Sequence, residues 1–342
     1  MLDKIKGAYY GAALGSAIGK ATQNKAWDMI RQQYGRVTAF LPVPSDAPAS
    51  GMLPEQPSGE FENGLYLSRH LIASHGVASE EVALAALKEW EQSTDCYYRF
   101  VDPTTQYVIN GKDSPNRLVK RSLWKGSYFC LSTNGLAVKS YPIGLLSKGD
   151  IDQAIKDTYA LCFKQYQDIH TLQAGCAVAA TVSCAMRKDV SLYDIIRAGL
   201  KGAKASKELA REKGCIVYPG PDVEKRMEMA IEIGMQRKDP QQLIGEISDM
   251  IGNCCMAAES IPAVFGILTA SKGDVMGSIY NAVSLGNASD AAALMCGAVM
   301  GAWKGVSSLD HQLLSRLQLP TGFDLEALSA EMLRTAEKRR ID

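Results

Sequence analysis

Apolar residues recur at helical spacing through nearly the whole chain of 342 residues, and alternating β patterns are almost absent. The segment "SEEVALAALKEWEQ" shows a serine cap, acids in the first turn and apolar residues at helical intervals. The best extended candidate, "GCIVYPGP", is short and ended by prolines. No linker composition or internal repeat divides residues 1–342. The pattern therefore predicts an all-α protein made of a single compact multi-helix domain.

Two irregular segments interrupt this pattern. The stretch from about Pro42 to Glu62, "PVPSDAPASGMLPEQPSGEFE", is rich in proline, serine and glycine and reads as a long loop. Loops of this length inside a compact domain more often serve a function than not, and we expect this one to influence substrate choice. A second irregular stretch, "RFVDPTTQYVINGKDSPN", precedes the segment "STNGLAVKSYPIGLL".

Charge and composition exclude several classes of protein. The 37 basic and 37 acidic side chains give a formal net charge of zero, whereas nucleic-acid binders carry a basic excess. The apolar run Ala291–Trp303 is about 13 residues long, short of the roughly 20 that span a membrane. Nine cysteines without a CxxC pair fit a reducing compartment. We expect a cytoplasmic protein that binds neither nucleic acid nor membrane, and its oligomeric state is left open.

Six segments, in the right order, resemble motifs of the ADP-ribosylglycohydrolases, the all-helical enzymes that include dinitrogenase-reductase-activating glycohydrolase. The segments are "GAYYGAALGSAIGKATQ", "GEFENGLYLSRHL", "DPTTQYVI", "STNGLAVKSYPIGLL", "AESIPAVFGIL" and "AVSLGNASDAAALMCGAVMGAW", and together they span most of Gly7 to Leu317. The resemblance implies the helical fold of that family and cleavage of a glycosidic bond.

The resemblance also implies a metal site. Members of the family hold two Mg²⁺ ions with a Thr-Asp-Asp triplet and an Asp-x-Asp-Thr on a facing helix. Hard cations prefer oxygen ligands, and two divalent ions need several carboxylates to offset their charge. In such a site the metals orient the ribose hydroxyls and a water at the anomeric carbon.

This sequence departs from the family at most of these acids. The Thr-Asp-Asp-Thr positions hold Glu62, Asn63, Gly64 and Leu65, the Asp-x-Asp-Thr positions hold Ala288, Ser289, Asp290 and Ala291, and the first motif has Ser16 and Gln23 in place of its acids. Only Asp290 keeps a matched acid. Joint loss of the carboxylates avoids leaving buried like charges without their cation. We therefore expect no cofactor and no dinuclear magnesium centre, with a single Mg²⁺ on Asp290, Glu62 and waters as the alternative.

Glycoside cleavage needs a carboxyl pair around the anomeric carbon. We predict that Glu62 and Asp290 form a metal-free acid/base pair; the alternative is that Glu62 is a solvated loop acid and Asp290 a helix cap. The remaining substrate-binding candidates are polar or turn residues close to the matched motifs, and each also has an ordinary structural explanation. They are Gln23, Asn63, Thr104, Thr105, Asn134, Gly135, His170, Asn287 and Ser289.

The predicted function is hydrolysis of a glycosidic bond in a ribosyl-like or nucleoside-like small molecule, without the two-metal centre. Three alternatives stay open. The chain could be an inactive relative that binds ADP-ribose or a related ligand. It could be a conventional Mg²⁺-dependent ADP-ribosylglycohydrolase. It could also carry a different chemistry, such as that of a lyase or transferase, because the fold alone does not fix the reaction.

Overall fold

A computed structural model of the chain describes residues 1–94, 96–101, 105–106, 132–162, 168–217 and 219–339. Within these ranges the protein is built from α-helices and two short 3₁₀ helices, with no β-strand, which confirms the all-α prediction. The α-helices are α1 Leu2–Gly19, α2 Trp27–Tyr34, α3 Gly59–Ala73, α4 Glu80–Ser93, α5 Cys96–Phe100, α6 Gly135–Val138, α7 Tyr141–Ser147, α8 Ile151–Cys162, α9 Ile169–Ala185, α10 Leu192–Glu212, α11 Val223–Met235, α12 Pro240–Met250, α13 Ala257–Ser271, α14 Val275–Ser284, α15 Ser289–Lys304, α16 His311–Arg316 and α17 Leu325–Lys338.

The centre of the fold is the contact between α1 and α15, where glycines let the two backbones touch. A Cβ atom on Gly11 would lie 2.3 Å from the carbonyl oxygen of Gly297, and one on Gly297 would lie 2.0 Å from that of Gly11. At the end of α1, a Cβ atom on Gly19 would lie 2.6 Å from the Cα of Asp290. Side chains at these glycines would push the helices apart. The small residues of the two motifs therefore fix Asp290 against the end of α1.

Helix α9 is buried along its whole length and packs against α10, α8 and α7. Such a helix, apolar on every side, belongs in the core. Three isolated β-bridges join segments between the helices: Gln23 with Asn287 before α15, Thr133 with Met256 before α6 and α13, and Asp168 before α9 with Ile216 after α10. These bridges hold the loops that carry most of the predicted site residues.

The predicted loop ends earlier than the sequence suggested. Helix α3 begins at Gly59, so Glu62 lies in its first turn and is buried rather than solvated. The extended backbone of Ser58 starts the helix, and the acids Glu60 and Glu62 suit its positive end. Asp290 lies inside the first turn of α15, and the position before that helix is Ala288.

Among the described residues, no helix is long and apolar enough to cross a membrane. The described cysteines are all free thiols.

Candidate active site

Asp290 is surrounded by hydrogen-bond donors. Its side chain is 1% exposed, and Oδ2 accepts a hydrogen bond of 2.7 Å from the Ser58 hydroxyl. The Gln23 side chain and the backbone N–H groups of Ala291 and of Asp290 itself also stabilise the carboxylate. Burial raises the pKa of Asp290, and these four donors oppose that rise. The surroundings are built to receive a negative charge.

Two serines extend this shell into the protein. The Ser58 amide donates to Ser16 Oγ at 2.9 Å, and the two hydroxyl oxygens are also 2.9 Å apart. Because the Ser58 hydroxyl donates to Asp290, the Ser16 hydroxyl donates to Ser58. Ser58 precedes α3 but its hydroxyl does not cap that helix. Ser58 is not among the residues predicted from the sequence, where its only signal is its place just before "GEFENG".

Main-chain contacts bring Gln23, Asn287 and Ser289 to the same end of α15 as Asp290. The Asn24 amide donates to the Asn287 carbonyl, and the Asn287 amide donates to the Lys25 carbonyl, both at 3.0 Å. Asn287 adopts a left-handed backbone with φ 53°, which asparagine tolerates better than most residues. The Ser289 hydroxyl is fully buried and donates to the Gly19 carbonyl at 2.8 Å. Ser289 therefore fixes the turn, whereas Asn287 is exposed at its rim.

Asn134 and Gly135 reach this region through the segment that precedes α13. The Asn134 amide donates to the Cys255 carbonyl at 2.8 Å, and the Ala288 amide donates to the Asn253 carbonyl at 2.8 Å. Asn134 is buried, and α6 begins at Gly135. Residues 253–255 thus connect the 132–135 segment with the 286–290 turn.

His170 lies at the start of α9 and is almost fully buried. Burial lowers its pKa, and the nearby carboxylates of Asp168 and Asp222 partly oppose this effect. Asp168 accepts hydrogen bonds of 2.9 Å from the Thr171 amide and from the Ser132 hydroxyl. A histidine in this environment is neutral at pH 7 and able to accept or donate one hydrogen bond. Thr105 is fully buried, and Thr104 lies outside the described residues.

Glu62 has different neighbours from Asp290. Its buried carboxyl lies beside the side chains of Trp90 on α4, Thr94 just after α4 and Cys96 on α5. Burial raises the pKa of Glu62, and these three neighbours oppose the rise. The Oε2 atom has no hydrogen-bond partner among the described residues. The surroundings of Glu62 therefore favour a protonated acid.

Asn63, the next residue along α3, is buried and lines a small cavity of about 10 Å³. Leu87 and Lys139 are among the other residues around this mainly apolar space. Asp290 and the donors around it are not among the described residues that line this cavity.

A polar cavity of about 470 Å³ opens beside the 286–288 turn. Three asparagine side chains (Asn24, Asn253 and Asn287), the Lys25 side chain and the Glu259 carboxyl are part of its lining. Asn253 is buried, and its Oδ1 atom has no hydrogen-bond partner in the described part of the chain. Amides and a carboxyl together suit a ligand rich in hydroxyl groups.

The sequence profile of the ADP-ribosylglycohydrolases matches residues 1–341. The chain belongs to the ADP-ribosylglycohydrolase family. It is 25% identical over 303 residues to an uncharacterized protein of Archaeoglobus fulgidus, with 88% of each chain covered. It is also 21% identical over 340 residues to the uncharacterized protein YegU of Escherichia coli, with 98% of each covered. A solved structure titled "ADP-ribosylglycohydrolase-related protein complex" shares the fold, with a TM-score of 0.65, 15% identity and 98% coverage of both chains.

Gly64, which the resemblance matches to the second aspartate of the family motif, has no room for a side chain. A Cβ atom on Gly64 would lie 2.6 Å from the hydroxyl oxygen of Tyr141 and 2.7 Å from its ring. Tyr141 is fully buried, and its ring also packs edge-on against Tyr9. Sequence reasoning missed this role of Tyr141, because a tyrosine at the start of α7 is equally typical of core packing.

No group of three or more histidine, cysteine, aspartate or glutamate side chains in the described ranges is arranged to hold a metal ion. At the position of the Asp-x-Asp-Thr motif the chain offers one carboxylate, Asp290, and its nearest partners are donors rather than further ligands.

Proposed function

We propose that this family member hydrolyses a glycosidic bond of a ribosyl-like or nucleoside-like small molecule without a dinuclear magnesium centre. The observation that carries the proposal is the set of side chains and main-chain groups around Asp290 and Gly64. Hydroxyl and amide donors converge on Asp290, and a tyrosine ring occupies the space beside Gly64.

These residues do not fit two divalent cations. A Mg²⁺ ion requires oxygen ligands with free lone pairs, in near-octahedral geometry. Here the Ser58 hydroxyl directs its proton at Asp290, and the Gln23 side chain also serves that carboxylate. A carboxylate at position 64 would collide with Tyr141. One carboxylate with a shell of donors is suited to act alone, as a fixed negative charge.

Asp290 and Glu62 are proposed to divide the chemistry between them. The donors around Asp290 favour its ionised form, which would stabilise positive charge developing at the anomeric carbon. Glu62 has a raised pKa and few partners, which suits a general acid that protonates the leaving group. Because Glu62 faces Trp90, Thr94 and Cys96, this role requires its side chain to turn toward the bound substrate.

The polar residues that line the 470 Å³ cavity support the proposal of a hydroxyl-rich substrate. Asn287 is exposed at the end of the turn that carries Asp290, and it lines the 470 Å³ cavity together with Asn24 and Asn253. Amide side chains can both donate to and accept from sugar hydroxyls. The neutral His170 adds a further polar group near the start of α9.

A second candidate is a protein that binds ADP-ribose or a related ligand without cleaving it. Asp290 favours this candidate, because it is 1% exposed and the protein's own donors already occupy its oxygens. A carboxylate held in this way can serve as a structural cross-link between α15 and the segment before α3.

A substrate panel separates the two candidates. The protein is incubated with ADP-ribosyl-arginine, O-acetyl-ADP-ribose and a set of nucleosides, and released products are followed by chromatography. We expect turnover of at least one glycoside, with loss of that turnover in Asp290→Asn. Saturable binding of a panel member, measured by calorimetry, with no product over many hours would favour the binding protein instead.

A further inference from the structure

A lysine is buried in the core close to Asp290. Lys20 follows α1 directly and has 0% of its surface exposed, whereas lysines are almost never fully buried without partners. Its ammonium donates to three carbonyl oxygens, those of Ala17 at 3.2 Å, Pro54 at 2.7 Å and Gln56 at 2.5 Å. Every N–H of the ammonium is therefore used, and every acceptor is a neutral main-chain group.

Two of these carbonyls belong to the segment that leads into Ser58. Pro54 and Gln56 precede Ser58 closely, so Lys20 ties residues 54–56 to the end of α1. On the outer side, Glu55 pairs with Arg316 at 2.5 Å, and the Gln318 amide donates to the Glu55 carbonyl at 3.2 Å. Lys20 therefore holds the buried side of the segment 54–58, and Ser58 at the end of that segment donates to Asp290.

The charges near Lys20 are negative. Burial lowers the pKa of Lys20 to about 8, while Glu55 and Asp290 oppose this effect. At pH 7 the ammonium is mostly protonated, so a buried cation lies near a buried carboxylate without contacting it directly. Neutral carbonyls hold the cation, and neutral hydroxyls and amides hold the anion.

We propose that Lys20 is the internal cation of this site and a positioning residue for Asp290. Its ammonium holds the 54–58 segment so that Ser58 donates to Asp290, and it supplies a fixed positive charge close to that carboxylate. The inference deepens the proposed metal-independent function, since a covalently attached cation takes part of the electrostatic role of a bound one. Sequence alone gave a faint signal, a single cation in the buried stretch "GSAIGKAT".

Hydrogen exchange at the Ser58 amide tests the first half of this proposal. That amide donates to Ser16 Oγ in the buried structure and reports directly on the segment. We expect Lys20→Met, which keeps the unbranched side chain up to Cε and loses the ammonium, to speed exchange in peptides covering residues 54–60 at least tenfold. Lys25→Met is the matched control, because Lys25 is half-buried on the same stretch, and exchange there should stay as in the wild type. Unchanged exchange in Lys20→Met would overturn the proposal.

Chemical rescue tests the charge itself. Lys20→Ala leaves a hole lined by three carbonyls, into which n-propylammonium can fit. We expect n-propylammonium chloride to restore slow exchange, and neither n-propanol nor sodium chloride at equal concentration to do so. Equal rescue by propanol would show that Lys20 only fills space.

If Lys20→Ala does not fold, a double-mutant cycle of Lys20→Met with Ser58→Ala replaces this test, and additive effects on the free energy of unfolding would contradict the coupling. None of these readouts needs a substrate, so they remain decisive even if no glycoside is cleaved.

Discussion

Asp290 and Glu62 are both buried acids with raised pKa values, yet their surroundings differ in kind. Four donors converge on Asp290, whereas Glu62 keeps an oxygen without a partner among the described residues. Burial raises the pKa of both acids, and hydrogen-bonding neighbours oppose that rise at both, four around Asp290 and three around Glu62. We propose that the larger set of donors keeps Asp290 ionised, whereas the unpartnered oxygen of Glu62 favours a bound proton.

Of the changes proposed here, removing the charge of Asp290 should have the largest effect on activity. Asp290→Asn keeps the size of the side chain but takes away the anion, and we expect kcat/KM on the active glycoside to fall about 10³-fold, or about 4 kcal/mol. Steady-state kinetics would measure the loss, with Asp152→Asn as a surface control, because the Asp152 side chain is exposed in an ion pair with Lys201. Activity within threefold of the wild type in Asp290→Asn would remove Asp290 from the mechanism.

Restoring the acid at position 64 should destabilise the fold rather than rebuild a metal site. Gly64→Asp forces a side chain into the space of the Tyr141 ring, and we expect unfolding free energy to fall by about 3 kcal/mol. Gly64→Ala should show most of this loss, because the collision begins at Cβ. Denaturant unfolding measures both variants. A stable Gly64→Asp protein that binds Mg²⁺ in calorimetry would contradict our view of the site.

Glu62→Gln tests whether Glu62 is the general acid. We expect kcat to fall about 10²-fold, because general acids contribute roughly that much or more, while the unfolding free energy at pH 4 stays unchanged.

The stability of Glu62→Gln should also depend on pH in a defined direction. The folded-state pKa of Glu62 is raised, so the wild type loses stability as pH climbs from the unfolded value of about 4.3 through the folded value. The glutamine variant does not lose stability in this way. Its free energy of unfolding should therefore rise relative to that of the wild type across that pH range. A difference that does not change with pH would mean that Glu62 has an ordinary pKa. Unchanged kcat in the variant would exclude Glu62 as the acid.

The sequence predicted those features that depend on local pattern. Helical periodicity indicated the all-α fold, and the small residues of the first and last motifs match the glycine contact between α1 and α15. The motif order also singled out Asp290, which lies in the first turn of α15. The start of α3 was misplaced because Ser58 and Gly59 resemble the loop before them in composition.

The partners of the acids could not be read from the sequence, because they come from distant parts of the chain. Ser58 and Asp290 are 232 positions apart, and Tyr141 meets Gly64 only when α7 packs on α3. The three carbonyls around Lys20 are equally invisible in a sequence, since every residue has one.

The central claim is cleavage without a dinuclear magnesium centre, and the metal dependence of turnover tests it most directly. The rate constant on the best glycoside is measured after extensive dialysis against EDTA, and again after Mg²⁺ is added in excess. Our account predicts that the two values of kcat/KM agree within a factor of two. A fall of 100-fold or more in EDTA, restored by Mg²⁺, would contradict it.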